Sequence, residues 1–125
     1  MARILVIEDD HDVRALMQRE LEAAGHEVRS AENGAQGLTL QRSAPCDVVV
    51  TDIYMPEKEG VETIRELREQ FPDVKVIVIS GGGRLGTPTS RIAVVARELG
   101  VAAVLDKPFD PSALLQSIDS ALGER

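Results

Sequence analysis

The chain has 125 residues, the size of one compact domain and enough to bury a core without covalent staples. Apolar residues make up 43% and aromatics only 2%, so the core must be aliphatic, and a base-stacking platform for single strands is not expected. The net charge of −7 argues against a direct grip on a nucleic-acid backbone and otherwise reads as solubility.

The first residues, Met-Ala-Arg-Ile-Leu-Val-Ile-Glu-Asp-Asp, turn acidic too early for a signal peptide. No apolar stretch approaches the ~20 residues of a membrane span. A cytoplasmic protein without membrane contact is expected. Short aliphatic runs predict strands at Ile4–Ile7, Val48–Thr51 and Val74–Ile79, with weaker candidates at His26–Ser30 and Val101–Leu105. Helical spacing fills the gaps. The first helix is expected over His11–Ala24, with Val13, Leu16, Met17 and Leu21 on one face and Gly25 as its stop. Others are expected at Gly34–Arg42, ended before Pro45, and at Val61–Gln70, with Ile64 and Leu67 inward. A fourth is predicted over about Ser90–Leu99, and a fifth over Pro111–Leu122 with Asp110 as N-cap. Cys46 stands alone, so no internal disulfide forms, and its place before Val48-Val49-Val50 predicts a buried structural thiol.

Strand followed by helix, five times over, means a parallel sheet covered on both faces. A doubly wound α/β sheet follows, and such sheets bind ligands beyond the carboxyl ends of their strands. Those ends carry Glu8-Asp9-Asp10, Asp52, Ser80 and Lys107. Acids converging from two strands repel one another unless a hard divalent cation such as Mg²⁺ joins them. The Asp52 carboxylate can then act as a nucleophile toward a phosphoryl group, with the Ser80 hydroxyl and the Lys107 charge receiving phosphoryl oxygens. Each residue alone has a plain structural role. The acid triplet suits a helix start, Asp52 can cap a loop, Ser80 can be a turn residue, and Lys107 a surface lysine. Their joint occurrence at strand ends is the signal.

Over essentially its whole length the sequence resembles the receiver domain of two-component response regulators. The matching pieces are Ile4-Leu5-Val6-Ile7-Glu8-Asp9-Asp10, Asp52-Ile53-Tyr54-Met55-Pro56 with Gly60, Val78-Ile79-Ser80-Gly81 and Lys107-Pro108-Phe109. The resemblance implies a five-stranded sheet in the flavodoxin-like order 2-1-3-4-5 with five helices, a single domain over residues 1–125. It implies that Asp52 is the phospho-acceptor and that Ser80 and Lys107 are its partners. It also implies a Mg²⁺ site in which Asp9 and Asp52 ligate directly, Glu8 through water, and Tyr54 by its backbone carbonyl. A cis Lys107–Pro108 peptide belongs to the same expectation. The implied donor is a phosphohistidine on a sensor kinase or phosphotransfer protein, and the output a change of contacts with a protein target. Such a domain is not an enzyme beyond assisting its own phosphorylation and dephosphorylation.

Two features depart from the family. An aromatic commonly lies three residues before the lysine and swings on phosphorylation, whereas this chain has Val104. The segment after Ser80 is long and carries Gly81-Gly82-Gly83-Arg84-Leu85-Gly86-Thr87-Pro88. This glycine-rich loop is therefore expected to carry the signal that a valine cannot. The run Gly81–Gly86 formally matches a dinucleotide fingerprint, but Thr87-Pro88 follows where a helix should start. A haloacid-dehalogenase type phosphatase uses the same groups, but there the nucleophile lies on the first strand. A receiver fold that binds partners without phosphorylation is disfavoured by the complete set of site residues. His11 and His26 share no metal spacing. The chain stops just after the fifth helix, which suits either a stand-alone receiver or an excised module.

Overall fold

Val and Ile runs favour the pleated surface, where a branched side chain packs against its neighbours. In the computed structural model, which describes residues 2–52, 59–80, 98–106 and 109–123, these runs form a parallel sheet. Its strands are β1 (Arg3–Ile7), β2 (Glu27–Ala31), β3 (Val48–Asp52), β4 (Lys75–Ser80) and β5 (Ala103–Asp106), in the order β2-β1-β3-β4-β5. The described helices are α1 (His11–Ala23), α2 (Gly34–Ser43), α3 (Glu59–Gln70) and α4 (Pro111–Gly123). Of the helix expected over Ser90–Leu99, residues 90–97 lie outside the described part, and Glu98 is helical. None of the described helices is long and apolar enough to cross a membrane.

The sheet has two apolar faces, as the alternation of side chains in a strand requires. Leu5, Ile7, Val49, Val76 and Val78 point to one side, where they meet Leu38 of α2 and Ile64 and Leu67 of α3. Ile4, Val6, Val48, Val50, Ile77 and Ile79 point to the other, against Met17 and Leu21 of α1 and Leu114 and Ile118 of α4. Leu16, expected on one face of α1 with Val13, Met17 and Leu21, is 48% exposed. It lies at the margin of the helix contact, in an apolar groove with Val13, Met17, Phe109, Pro111 and Leu114.

The ends of α1 follow the sequence signals. Gly25 has φ +93, a left-handed value that glycine adopts without a Cβ penalty. The Gly25 amide donates to the Glu22 carbonyl at 3.0 Å and the His26 amide to the Leu21 carbonyl at 3.2 Å. That paired arrangement closes a helix and turns the chain into the next strand. At the far end of the sheet the buried Gln41 side chain holds the backbone of Cys46 in both directions. Its Nε2 donates to the Cys46 carbonyl at 3.1 Å, and its Oε1 accepts from the Cys46 amide at 3.0 Å. Cys46 is buried, and burial pushes its thiol above the usual range.

One glycine sets the distance between α2 and the sheet. A Cβ built at Gly37 would lie 2.7 Å from Cγ1 of the fully buried Ile7. Alanine would favour the helix by about 1 kcal/mol, but Ile7 precedes the acid triplet and sits in a packed core. Gly37→Ala is therefore expected to destabilise the domain by about 1–3 kcal/mol in urea unfolding, as overpacked cores do. A variant as stable as the parent would contradict this packing.

Candidate functional site

The turn from β1 into α1 gives three consecutive acids different tasks. The Glu8 amide continues the strand pairing by donating to the Ala31 carbonyl at 3.0 Å. Its carboxylate is turned inward and is fully buried, and Oε2 accepts from the Asp10 amide at 3.0 Å. Asp10 is the N-cap of α1, with extended backbone and Oδ1 accepting from the amides of Asp12 at 2.9 Å and Val13 at 3.1 Å. A carboxylate in this position satisfies helix-end donors and meets the positive end of the helix dipole. Asp9, between them, is exposed. The helix-start role that the triplet suggests thus belongs to Asp10, and the other two acids are left for the sheet edge.

Parallel register brings the third carboxylate to the same place. Ile7 pairs with Thr51, so Glu8 and Asp52 sit side by side at the ends of β1 and β3. Asp52 is nearly buried, at 4% exposure. Each of Glu8, Asp9 and Asp52 offers a carboxylate oxygen, and these atoms all lie within 4.8 Å of one another. Two full negative charges at such a separation repel by about 3 kcal/mol at an effective dielectric of about 20. The set is all-oxygen, compact and partly open to solvent, which fits a small hard cation that keeps several waters, as Mg²⁺ does. It also stands where the strand order reverses between β1 and β3, the crevice in which open α/β sheets bind ligands.

The remaining expected site residues are placed less completely. Ser80 ends β4 beside Asp106 of β5, in the strand-end row that holds Asp52, but its side chain lies outside the described residues. Tyr54, Lys107, the Lys107–Pro108 peptide and the glycine-rich segment 81–88 also lie outside them. Val104 is half-buried on β5 and packs against the core face shared with α2 and α3.

This fold and this edge have well-matched counterparts. The family model for the response regulator receiver domain matches residues 4–119. The response regulator receiver protein CpdR of Brucella abortus is 36% identical over 122 residues, which is 98% of each chain. The transcriptional regulatory protein GlrR of Escherichia coli is 34% identical over 121 residues. That match takes in 97% of this chain but 26% of the regulator, so the chain spans about a quarter of that relative's length. Among solved structures, a CheY-like receiver domain protein from Methanospirillum hungatei superimposes with a TM-score of 0.88. It is 28% identical, with 99% of this chain and 95% of that one covered. The chain belongs to the response regulator receiver domain family, the phospho-accepting modules of two-component signal transduction.

One residue at this edge escaped the sequence reading. Arg14, on the first turn and a half of α1, donates from Nη1 to the Glu8 carbonyl at 2.7 Å. A basic residue six positions after an acid matches no motif, and only the fold of the turn brings the two together.

The division of labour among the three acids is testable. Asp10→Ala should cost about 1 kcal/mol of stability, the usual price of a lost N-cap, and leave Mg²⁺ affinity within about two-fold in calorimetry, because its backbone amide still serves Glu8. Asp9→Ala should do the reverse, abolishing saturable Mg²⁺ binding with little change in urea midpoint. Equal effects of the two substitutions on metal binding would contradict the assignment.

Proposed function

We propose that Asp52 is the phospho-acceptor of a Mg²⁺-dependent receiver domain spanning residues 1–125. The observation that carries this reading is the approach of the Glu8, Asp9 and Asp52 carboxylate oxygens to within 4.8 Å at the switch point of the sheet. Asp9 and Asp52 would hold the cation directly, Glu8 through water and Tyr54 by its backbone carbonyl. When bound, the cation supplies charge neutralisation for an incoming phosphoryl group.

In the transfer itself a carboxylate oxygen of Asp52 attacks the phosphorus of a phosphohistidine on a sensor kinase or phosphotransfer protein. The P–N bond breaks as the P–O bond forms, and the imidazole leaves with the electron pair. Burial of Asp52 keeps its carboxylate fixed in the attacking position and limits water near the product. The Ser80 hydroxyl and the Lys107 ammonium are the groups assigned to the other phosphoryl oxygens. The domain catalyses nothing beyond its own phosphorylation and dephosphorylation, acts in the cytoplasm, and reports by changed contacts with a protein target rather than with nucleic acid. The phosphatase alternative places its nucleophile on the first strand, whereas here the turn after the first strand supplies Glu8 and Asp9 and the third strand supplies Asp52.

Incubation with acetyl phosphate and Mg²⁺ should add one phosphoryl mass to the intact chain. Asp52→Asn should stay unmodified, and chelation of the metal should abolish the gain in the parent. A parent chain that never gains this mass, or an Asp52→Asn variant that still does, would overturn the assignment.

A further inference from the structure

Arg14 makes two contacts that the phospho-acceptor reading does not use. Its Nη1 donates to the Glu8 carbonyl at 2.7 Å, the short distance of a charge-assisted bond, and its Nη2 lies 3.1 Å from His11 Nδ1. The guanidinium is half-buried and therefore partly shielded from competing water. The Glu8 carbonyl and the Asp9 amide belong to one rigid peptide plane. Fixing that oxygen fixes the plane from which the Asp9 side chain departs. The same dipeptide is held from the other side by the Asp10 amide on Glu8 Oε2, and from behind by the Glu8 amide on Ala31. Of these three restraints only the one from Arg14 is a side-chain donor, so only it can be removed without altering the backbone or an acid.

We propose that Arg14 is a positioning residue for the cation site, acting through the Glu8–Asp9 peptide to hold the Asp9 carboxylate beside those of Glu8 and Asp52. This inference rests on the assignment of those acids as a Mg²⁺ site. Two effects of Arg14 on the cation have opposite signs. Its positive charge repels Mg²⁺, so deleting the charge alone would tighten binding. Its hydrogen bond orders the ligands, so deleting the bond weakens binding. The charge is half-exposed, so water weakens its repulsion of the cation, whereas the bond acts at contact, so the ordering effect wins. Loss of groups that orient metal ligands typically costs 10–100-fold in affinity. A single peptide restraint belongs at the low end, roughly ten-fold.

The test is Mg²⁺ titration by calorimetry on the parent chain, Arg14→Met and Arg14→Lys at physiological ionic strength, with urea midpoints measured alongside. Methionine keeps the length of the side chain and loses the donors. It should raise the Mg²⁺ dissociation constant roughly ten-fold at a temperature where both proteins are fully folded. Lysine restores a donor of the same charge and should bring the constant back to within about three-fold of the parent. A purely structural role would shift the urea midpoint and leave the affinity of the folded protein unchanged. Unchanged or tighter Mg²⁺ binding in Arg14→Met, beside a parent that binds saturably, would overturn the proposal alone. A parent that shows no saturable Mg²⁺ binding would overturn the cation site and the role of Arg14 together.

Discussion

Everything at the functional edge depends on the parallel pairing of β1 with β3, which brings two buried carboxylates, Glu8 and Asp52, side by side. Charged groups removed from water need compensating charge or donors. The turn after β1 gives Glu8 the Asp10 amide, and the two carboxylates share their space with Asp9. A cluster of this kind costs stability when left to itself. Carboxylates gathered at the switch point in this way suit a hard cation.

The rest of the fold serves that edge by being stiff. The sheet is buried on both faces, with α1 and α4 over one and α2 and α3 over the other. Ile7, the last residue of β1, is wedged under Gly37 of α2, while Asp10 starts α1. The site therefore sits between a tightly packed strand end and a capped helix start, so its carboxylates can be held in place without a large local rearrangement.

Much of this was legible in the sequence, because the signals were local. Unbroken aliphatic runs marked strands buried on both faces; the structure adds one polar residue to two of them, Arg3 and Asp52, and shifts the third by one, from Val74–Ile79 to Lys75–Ser80. Gly25 and the Asp110 N-cap, which accepts from the Ser112 amide at 3.0 Å, were equally plain. The acid triplet stood out in the sequence as a cluster of charge, but not in its parts. Which acid turns inward, which caps the helix and which faces solvent depends on the path of the turn. The exposure of Leu16 could not be read off, because helical spacing gives a face but not its width. Arg14, Gln41 and Gly37 were missed because each acts through a contact with backbone or with a distant strand, and no residue pattern announces such contacts. Val104 remains a true departure from the usual aromatic, seated half-buried on β5 with the core rather than at the strand-end row.

The central claim is that Glu8, Asp9 and Asp52 form one cation-dependent phospho-acceptor site at the switch point of the sheet. A crystal structure of the chain with Mg²⁺ and beryllofluoride, a mimic of the phosphoryl group, tests it most directly. The account predicts beryllium joined to a carboxylate oxygen of Asp52, with Mg²⁺ between that group and Asp9. Beryllofluoride bound elsewhere, or Asp52 left unmodified at saturating concentration with the domain folded, would contradict it.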